Sequence, residues 1–371
     1  MNRRILIAPD KFKGSLTAPQ AAEAIARGIA LLDPSAECDL CPIADGGEGF
    51  MEALAEALNG RWMTCPAVDA LGREIQGRYV LAETADGPTA ILEMAETAGL
   101  WRLKEQERNP LVATTRGVGM QMIHAVREHS VVRMILGLGG SATNDGGCGM
   151  ASALGMSFLD DEGREVDPIP INLKKVCRID SRELIRLPDI MAACDVDNPL
   201  LGVAGATSVF SAQKGASREA KSALEEALAR LVQLSGAKQT AGIPGAGAAG
   251  GLGFGLLHFA QAQLVSGFDL LAGLLDLESR VRASDHVVTG EGSIDRQSLS
   301  GKGPVGLAKL ARTHGIPVTG FCGMADREAR ESGLFDGLHA LADGGMPIEA
   351  LMENAASLLT QAVVESQFLK P

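Results

Sequence analysis

Aromatic side chains are scarce in this sequence. Of 371 residues only 4% are aromatic, with one Tyr and two Trp. A surface that holds nucleic acid by stacking bases on aromatic rings is therefore not expected. Positive charge is also in short supply: 34 Lys and Arg stand against 46 Asp and Glu, a formal net charge of -12. No broad basic face is available for a phosphate backbone. Any anionic ligand has to be met locally, by a few Lys or Arg, by helix N-termini or by a metal ion.

Long apolar runs are missing too. Met1-Asn2-Arg3-Arg4 is basic, but the apolar run after it stops at Pro9-Asp10, too short for a signal-peptide core. The longest stretch without a charged residue, 239–268, is broken by Pro244 and repeated glycines and carries His258, Gln261 and Gln263. A spanning helix needs about 20 predominantly apolar residues, so a buried loop and helix is expected there. Neither a membrane nor nucleic acid is an expected partner. The 7 Cys are odd in number and scattered, and the close pair Cys38 and Cys41 has no second pair to complete a zinc site. Structural thiols in a reducing cytoplasm are the expectation.

Glycine, in contrast, is abundant at 45 residues, against an average usage of about 7%. The hydrophobic fraction of 46% is enough for a sizeable core. The run Arg4 to Ala8 reads as a buried parallel strand. Thr17 then stands three residues before Gln20 with Pro19 between, a capping-box spacing that opens a helix through Ile25, Ile29 and Leu32. A second strand over 38–44 leads into Asp45-Gly-Gly-Glu48-Gly and a helix with Phe50, Leu54 and Leu58 on one face. Residues 61–95 read as short strands split by Gly72, Gly77 and Asp86-Gly87-Pro88. A helix over 115–128, a strand over 131–136 and a glycine loop over 137–147 follow. Residues 217–234 form an amphipathic helix, whose Lys221/Glu225 and Glu226/Arg230 spacings predict solvated i,i+4 pairs. From Asp285 the strand–helix rhythm returns and ends in one helix over 347–364.

The fold class this predicts is α/β. A Rossmann-like parallel-sheet domain is assembled from both chain ends, 1–62 and 283–371, with an inserted α/β domain of mixed sheet over 63–282. Ligand is expected between the domains, at the carboxyl ends of the strands.

Four segments place Gly beside acidic, basic or hydroxyl residues directly after strand-like runs, 10–15, 45–49, 137–147 and 290–295, and a fifth, 194–199, gathers Asp195, Asp197 and Asn198 without a glycine. Glycine lets backbone N–H groups approach a polyphosphate, and a helix starting there adds its positive end. Carboxylates in neighbouring loops suit Mg²⁺, which takes one or two of them plus water. Asp195 and Asp197 are expected on one strand face. Lys11 and Lys13 flank Phe12 after the first strand, and Lys302, Lys214 and Arg116 stand in Gly- or Thr-containing loops. Two familiar fingerprints fail. Gly301-Lys302 is followed by Gly303, so there is no Walker loop. Gly245-Ala-Gly247-Ala-Ala-Gly250 matches a dinucleotide fingerprint but has no strand before it. The 6 His are isolated and read as structural.

The strings Ala-Pro-Asp10-Lys-Phe-Lys13-Gly-Ser, Ala-Asp45-Gly-Gly-Glu48-Gly, Gly-Gly-Ser141-Ala-Thr-Asn-Asp145-Gly-Gly, Cys-Asp195-Val-Asp-Asn198-Pro, Pro244-Gly-Ala-Gly-Ala-Ala-Gly-Gly and Gly-Glu291-Gly-Ser293-Ile-Asp295 resemble one family along essentially the whole chain. It is that of the bacterial glycerate kinases of glyoxylate and glucarate use. The resemblance implies phosphorylation of D-glycerate by ATP and Mg²⁺, commonly at the 2-hydroxyl, on a Rossmann-like domain split by a second α/β domain. Lys11, Phe50, Ser211-Ala212 and Ser293 depart from the family's usual residues, and Ser293 removes a basic group. Lys302 is therefore the better cation in that region.

The roles expected on the residues are as follows. Ser141, Thr143 and the amides of Gly139 and Gly140 cradle phosphates, with Asn144, Asp145 and Asn198 in the binding set. Asp195 is base or metal ligand and Asp295 the second metal carboxylate. Asp45, Glu48, Glu291 and Ser293 add binding contacts. Lys13 and Lys302 meet the glycerate carboxylate or the moving phosphoryl, with Arg116 in reserve. A 3-kinase is the nearest alternative. An oxidoreductase using Gly245–Gly250 and a catalytically dead metabolite-binding regulator are the rivals from other classes. A homodimer is left open.

Overall fold

Short apolar runs form the strands, in chain order β1 (Arg4–Ile7), β2 (Glu37–Leu40), β3 (Arg61–Val68), β4 (Glu74–Thr84), β5 (Gly87–Glu93), β6 (Arg133–Gly137) and β7 (Ser157–Leu159). There follow β8 (Arg178–Asp180), β9 (Asp189–Ala193), β10 (Gln263–Val265), β11 (His286–Ile294), β12 (Val318–Ala325) and β13 (Gly337–Ala340). The computed structural model describes residues 2–44, 47, 49–296, 298–300 and 303–369. Three site candidates, Asp45, Glu48 and Lys302, lie outside the described residues.

The chain packs as two units, one of residues 1–45, 52–57 and 267–371, the other of 46–51 and 58–266. In the first unit the sheet order is β13-β12-β11-β1-β2, and every neighbouring pair is parallel. Strands from both chain ends thus share one sheet. Counted within the unit, the order is that of a flavodoxin-like doubly wound sheet, and its direction reverses between β1 and β11, the topological switch point.

Ile5, Ile7, Val288 and Phe321 form its core with Ile25 and Ile29 of the helix Ala18–Leu32 and Leu359 and Val363 of the helix Ala355–Ser366. The capping box is present: Gln20 N donates to Thr17 Oγ1 at 3.3 Å and Thr17 N to Gln20 Oε1 at 3.0 Å. β2 stops at Leu40 rather than Ala44, because Pro9 has no N–H to extend the ladder from β1. The final helix is two, Ile348–Glu353 and Ala355–Ser366. The helices Gly267–Leu274 and Leu277–Arg282 belong to this unit, whereas the sequence expectation draws the line at 283. Arg280 Nη1 is 2.6 Å from Asp39 Oδ1 at the end of β2.

The second unit carries the order β10-β9-β6-β5-β4-β3. β10, β9, β6 and β5 are parallel, and β5-β4-β3 is an antiparallel meander, a mixed sheet as the glycine-punctuated 61–95 segment predicts. The amphipathic helix is Arg218–Ser235, with Leu224, Leu228 and Leu231 buried. Its predicted i,i+4 pairs are replaced by longer-range contacts. Glu225 Oε1 accepts from Gly202 N at 2.7 Å, and Arg230 Nη2 donates to Val176 O at 2.9 Å. A charge-assisted bond to a backbone group outweighs a solvated pair worth only about 0.2–0.5 kcal/mol, and the Val176 carbonyl bonded in this way is buried. Among the described residues no helix is long and apolar enough to cross a membrane.

Candidate active site

In the second unit the parallel strands hand their carboxyl ends to loops in a regular stagger. Met94 N donates to Gly137 O, Leu138 N to Ala193 O, and Cys194 N to Val265 O. This edge collects the ends of β5, β6 and β9, with the Gly139–Gly147 loop at its middle and Asp195 beside it. Gly139 is partly exposed and Gly140 exposed, whereas Ser141 to Asp145 are buried. Among the described residues the amides of Gly139, Gly140, Thr143 and Asn144 make no hydrogen bond. Free amides gathered on a glycine loop after a strand are donors that can serve an anion.

The side chains of this loop are used differently from the sequence expectation. Asp145, expected to meet ligand, is wholly buried and ties the loop to its neighbours. Its Oδ2 accepts from Thr115 N and Thr115 Oγ1, both at 2.8 Å, and from Gly149 N at 3.1 Å. Its Oδ1 accepts from Gly147 N at 3.1 Å. Burial pushes its carboxyl above the ordinary value against the pull of these donors. Thr143 is likewise buried, with Oγ1 turned to Ala249 O at 3.5 Å, so its amide rather than its hydroxyl is the group left to a ligand. Asn144 is buried, donating from Nδ2 to Thr207 Oγ1 at 3.1 Å. Ser141 is 7% exposed. Asn198 donates from Nδ2 to Ala204 O at 2.8 Å, which stiffens its own loop.

β9 ends at Ala193, so Asp195 and Asp197 stand in a loop rather than on a strand face; Asp195 is partly buried and Asp197 exposed. Arg116 is exposed at the first turn of the helix Arg116–His129. It is next to Thr115, which holds Asp145. Sequence reasoning missed one residue here, Glu93, and read a second, Lys214, only as a cation in a loop. Glu93, the last residue of β5, is buried, and its Oε1 accepts from Met51 N at 2.8 Å. Lys214 is 1% exposed, and its Nζ donates to Thr143 O at 2.7 Å. Burial lowers its pKa to about 7, opposed by Asp145. A lysine at the end of a short polar turn carries no periodic signal that distinguishes burial from solvation.

The Gly245–Gly250 segment is no dinucleotide finger. It lies against the backbone of two loops: Gly247 N donates to Asn198 O at 2.9 Å, and Gly146 N to Gly250 O at 3.1 Å. A surface cleft of about 510 Å³ lies at the opposite, amino-end edge, lined by Arg133, Arg186, Asp189, Phe259 and Gln261 among others.

In the first unit the 10–15 loop follows β1 and the 291–295 segment ends β11, on both sides of the switch point. Glu291 and Ser293 remain in β11, paired with Cys322 and Met324 of β12, where the sequence predicts a loop. The structure brings Lys13 to this strand, since a Cβ on Gly292 would be 3.1 Å from Lys13 N. Lys13 is exposed. Asp295 Oδ1 accepts from Ser298 N at 3.2 Å. Among the described residues no three of His, Cys, Asp and Glu gather as a metal cluster. The seven cysteines are thiols rather than disulfides, and burial raises Cys41 to about 11 and Cys322 to about 12.

A family model for the glycerate kinase family matches residues 5–367. A glycerate kinase of Bacillus subtilis (strain 168) is 41% identical over 367 residues, 96% of this chain and 94% of that protein. A glycerate 2-kinase of Escherichia coli (strain K12) is 40% identical over 330 residues, 86% of this chain and 85% of the other. A crystal structure described as a glycerate kinase 2 from Salmonella typhimurium LT2 aligns with a TM-score of 0.84 at 35% identity, covering 99% of this chain and 98% of that one. The chain belongs to the glycerate kinase family.

Proposed function

We propose that this kinase transfers the γ-phosphoryl of ATP to the 2-hydroxyl of D-glycerate, giving 2-phosphoglycerate. The observation that carries the reading is the set of unspent amides at Gly139, Gly140, Thr143 and Asn144, on the loop that follows β6. Phosphoryl transfer asks a protein mainly for positioning and charge neutralisation, and backbone donors with a nearby hydroxyl at Ser141 supply the first. The 2-hydroxyl is favoured by the likeness to a relative named glycerate 2-kinase.

Asp195 is the proposed base for the glycerate hydroxyl. Lys13, and Lys302 outside the described residues, are the proposed partners of the glycerate carboxylate, with Arg116 as a further cation. Glu291, Ser293 and the undescribed Asp45 and Glu48 are proposed binding residues. Asp195 and Asp295 offer the hard carboxylate oxygens that magnesium prefers, and the ion would neutralise charge on the phosphate oxygens. A bacterial cytoplasm is the proposed location.

A coupled ADP-release assay with D-glycerate tests the activity, and ³¹P NMR of the product tests the position. Glycerate-dependent ADP release with a 2-phosphate resonance is expected. ADP release independent of glycerate defeats the kinase reading, and a 3-phosphate product defeats the regiochemistry alone.

A further inference from the structure

Lys214 is a buried lysine with no carboxylate hydrogen-bonded to it among the described residues. It ends the turn Ala212–Lys214, which follows the helix Ala206–Phe210. Its Nζ donates to the Thr143 carbonyl at 2.7 Å, and the same segment holds the neighbouring residue, since Thr207 Oγ1 accepts from Asn144 Nδ2 at 3.1 Å. Ser211 Oγ in turn donates to Thr207 O at 2.5 Å, and Lys214 N to Ser211 O at 3.1 Å. The segment 206–214 is thus a clamp on one side of the 143–144 peptide.

Core stability does not explain the lysine. Burying an amino group is costly unless its hydrogen bonds are met, and an unbranched apolar side chain fills such a space without that cost. Asp145 does not need it either, having four other donors. What Lys214 does is fix a direction. A peptide group is planar and trans, with C=O and N–H on opposite sides. Holding the Thr143 carbonyl toward Nζ therefore turns the Asn144 amide the other way.

We propose that Lys214 is a positioning residue for phosphoryl transfer, holding the 143–144 peptide so that the amides of the Gly139–Gly147 loop keep one orientation toward the phosphates. This rests on the reading that the loop holds the ATP phosphates, and the two can fail separately. It touches no reacting atom itself.

The test compares Lys214→Met, which keeps length and removes the donor, with Gly140→Asp, which sets a negative charge on the exposed loop at a φ of +73° that Asp tolerates. Each is measured for affinity toward a non-hydrolysable ATP analogue, for kcat, for the KM of ATP and of glycerate, and for melting temperature. A small misplacement of reacting groups costs roughly 100-fold in rate. Lys214→Met should therefore lower kcat/KM for ATP by about that factor. Its glycerate KM should stay within about twofold, and it should melt at or above the wild-type temperature.

If Gly140→Asp weakens the analogue and Lys214→Met does not alter ATP kinetics, Lys214 has no positioning role and the loop reading stands. If Gly140→Asp leaves the analogue's affinity unchanged, the loop reading and the inference fall together. Should Lys214→Met not fold, Lys214→Leu is measured in the same way. If neither folds, Lys214 is a core support and the proposal is overturned.

Discussion

A Cβ built on Gly250 would lie 1.9 Å from the carbonyl oxygen of Thr143, so these two residues pack backbone against backbone. Gly250 also has a φ of +70°, between Ala249 at +53° and Gly251 at +87°. The glycine-rich 245–251 segment is therefore a spacer that lets one loop approach another. It supports the backbone of the candidate phosphate loop.

Gly250→Ala is expected to be strongly destabilising. Left-handed backbone costs a residue with a Cβ roughly 1–2 kcal/mol, and overpacking adds typically 1–3 kcal/mol. Denaturant unfolding should show a loss of about 2–5 kcal/mol. A change below about 0.5 kcal/mol would mean that the two backbones are free to part.

Asp195→Asn keeps shape and size and removes the charge. As the proposed base it should lose on the order of 100-fold in turnover, within the range of about 10²–10⁴ for general-base groups. The melting temperature should hardly move, because the partly buried loop after β9 does not support the core. Near-normal turnover at saturating Mg²⁺ removes Asp195 from the chemistry, and so does a variant that unfolds.

Asp145→Asn should do the reverse. Four donors converge on this carboxylate, and an amide NH₂ in place of one oxygen sets donor against donor. A loss of about 2–4 kcal/mol is expected from buried, charge-assisted bonds. Calorimetry reads it directly, and unchanged stability with lost ATP affinity would return Asp145 to the ligand-binding set.

The pH dependence of stability should carry the signature of Lys214. Its folded pKa of about 7 lies below its ordinary 10.5, so burial penalises the protonated form. Between these values the unfolded chain binds more protons, and stability rises with pH. The penalty is complete below pH 7 and shrinks as pH climbs toward 10. The stability gained by Lys214→Met over wild type should follow the same curve, measured by denaturant unfolding at pH 6 and pH 9. A gain equal at both would show that Lys214 does not titrate in this window.

Much of the fold was legible because its signals are local. Strand length, the Thr17 and Gln20 box, the helix period over 217–234 and the glycine punctuation over 61–95 each depend on neighbours within a few residues. The β-α rhythm at both chain ends pointed to one sheet, and β1 lies beside β11 in it. The order of charged and glycine residues in six segments also carried the family, since those strings need no coordinates to be compared.

What the tertiary structure alone decided is which polar groups are spent. Nothing within a few positions of Asp145 reveals that Thr115 fills it, or that Thr143 faces Ala249 and Lys214 from 106 and 71 residues away. Nor could local pattern tell that Glu291 and Ser293 stay in a strand, which depends on pairing with β12. Residue type fixes what a side chain can donate or accept. Long-range packing determines whether water, a ligand or the fold itself takes up that capacity.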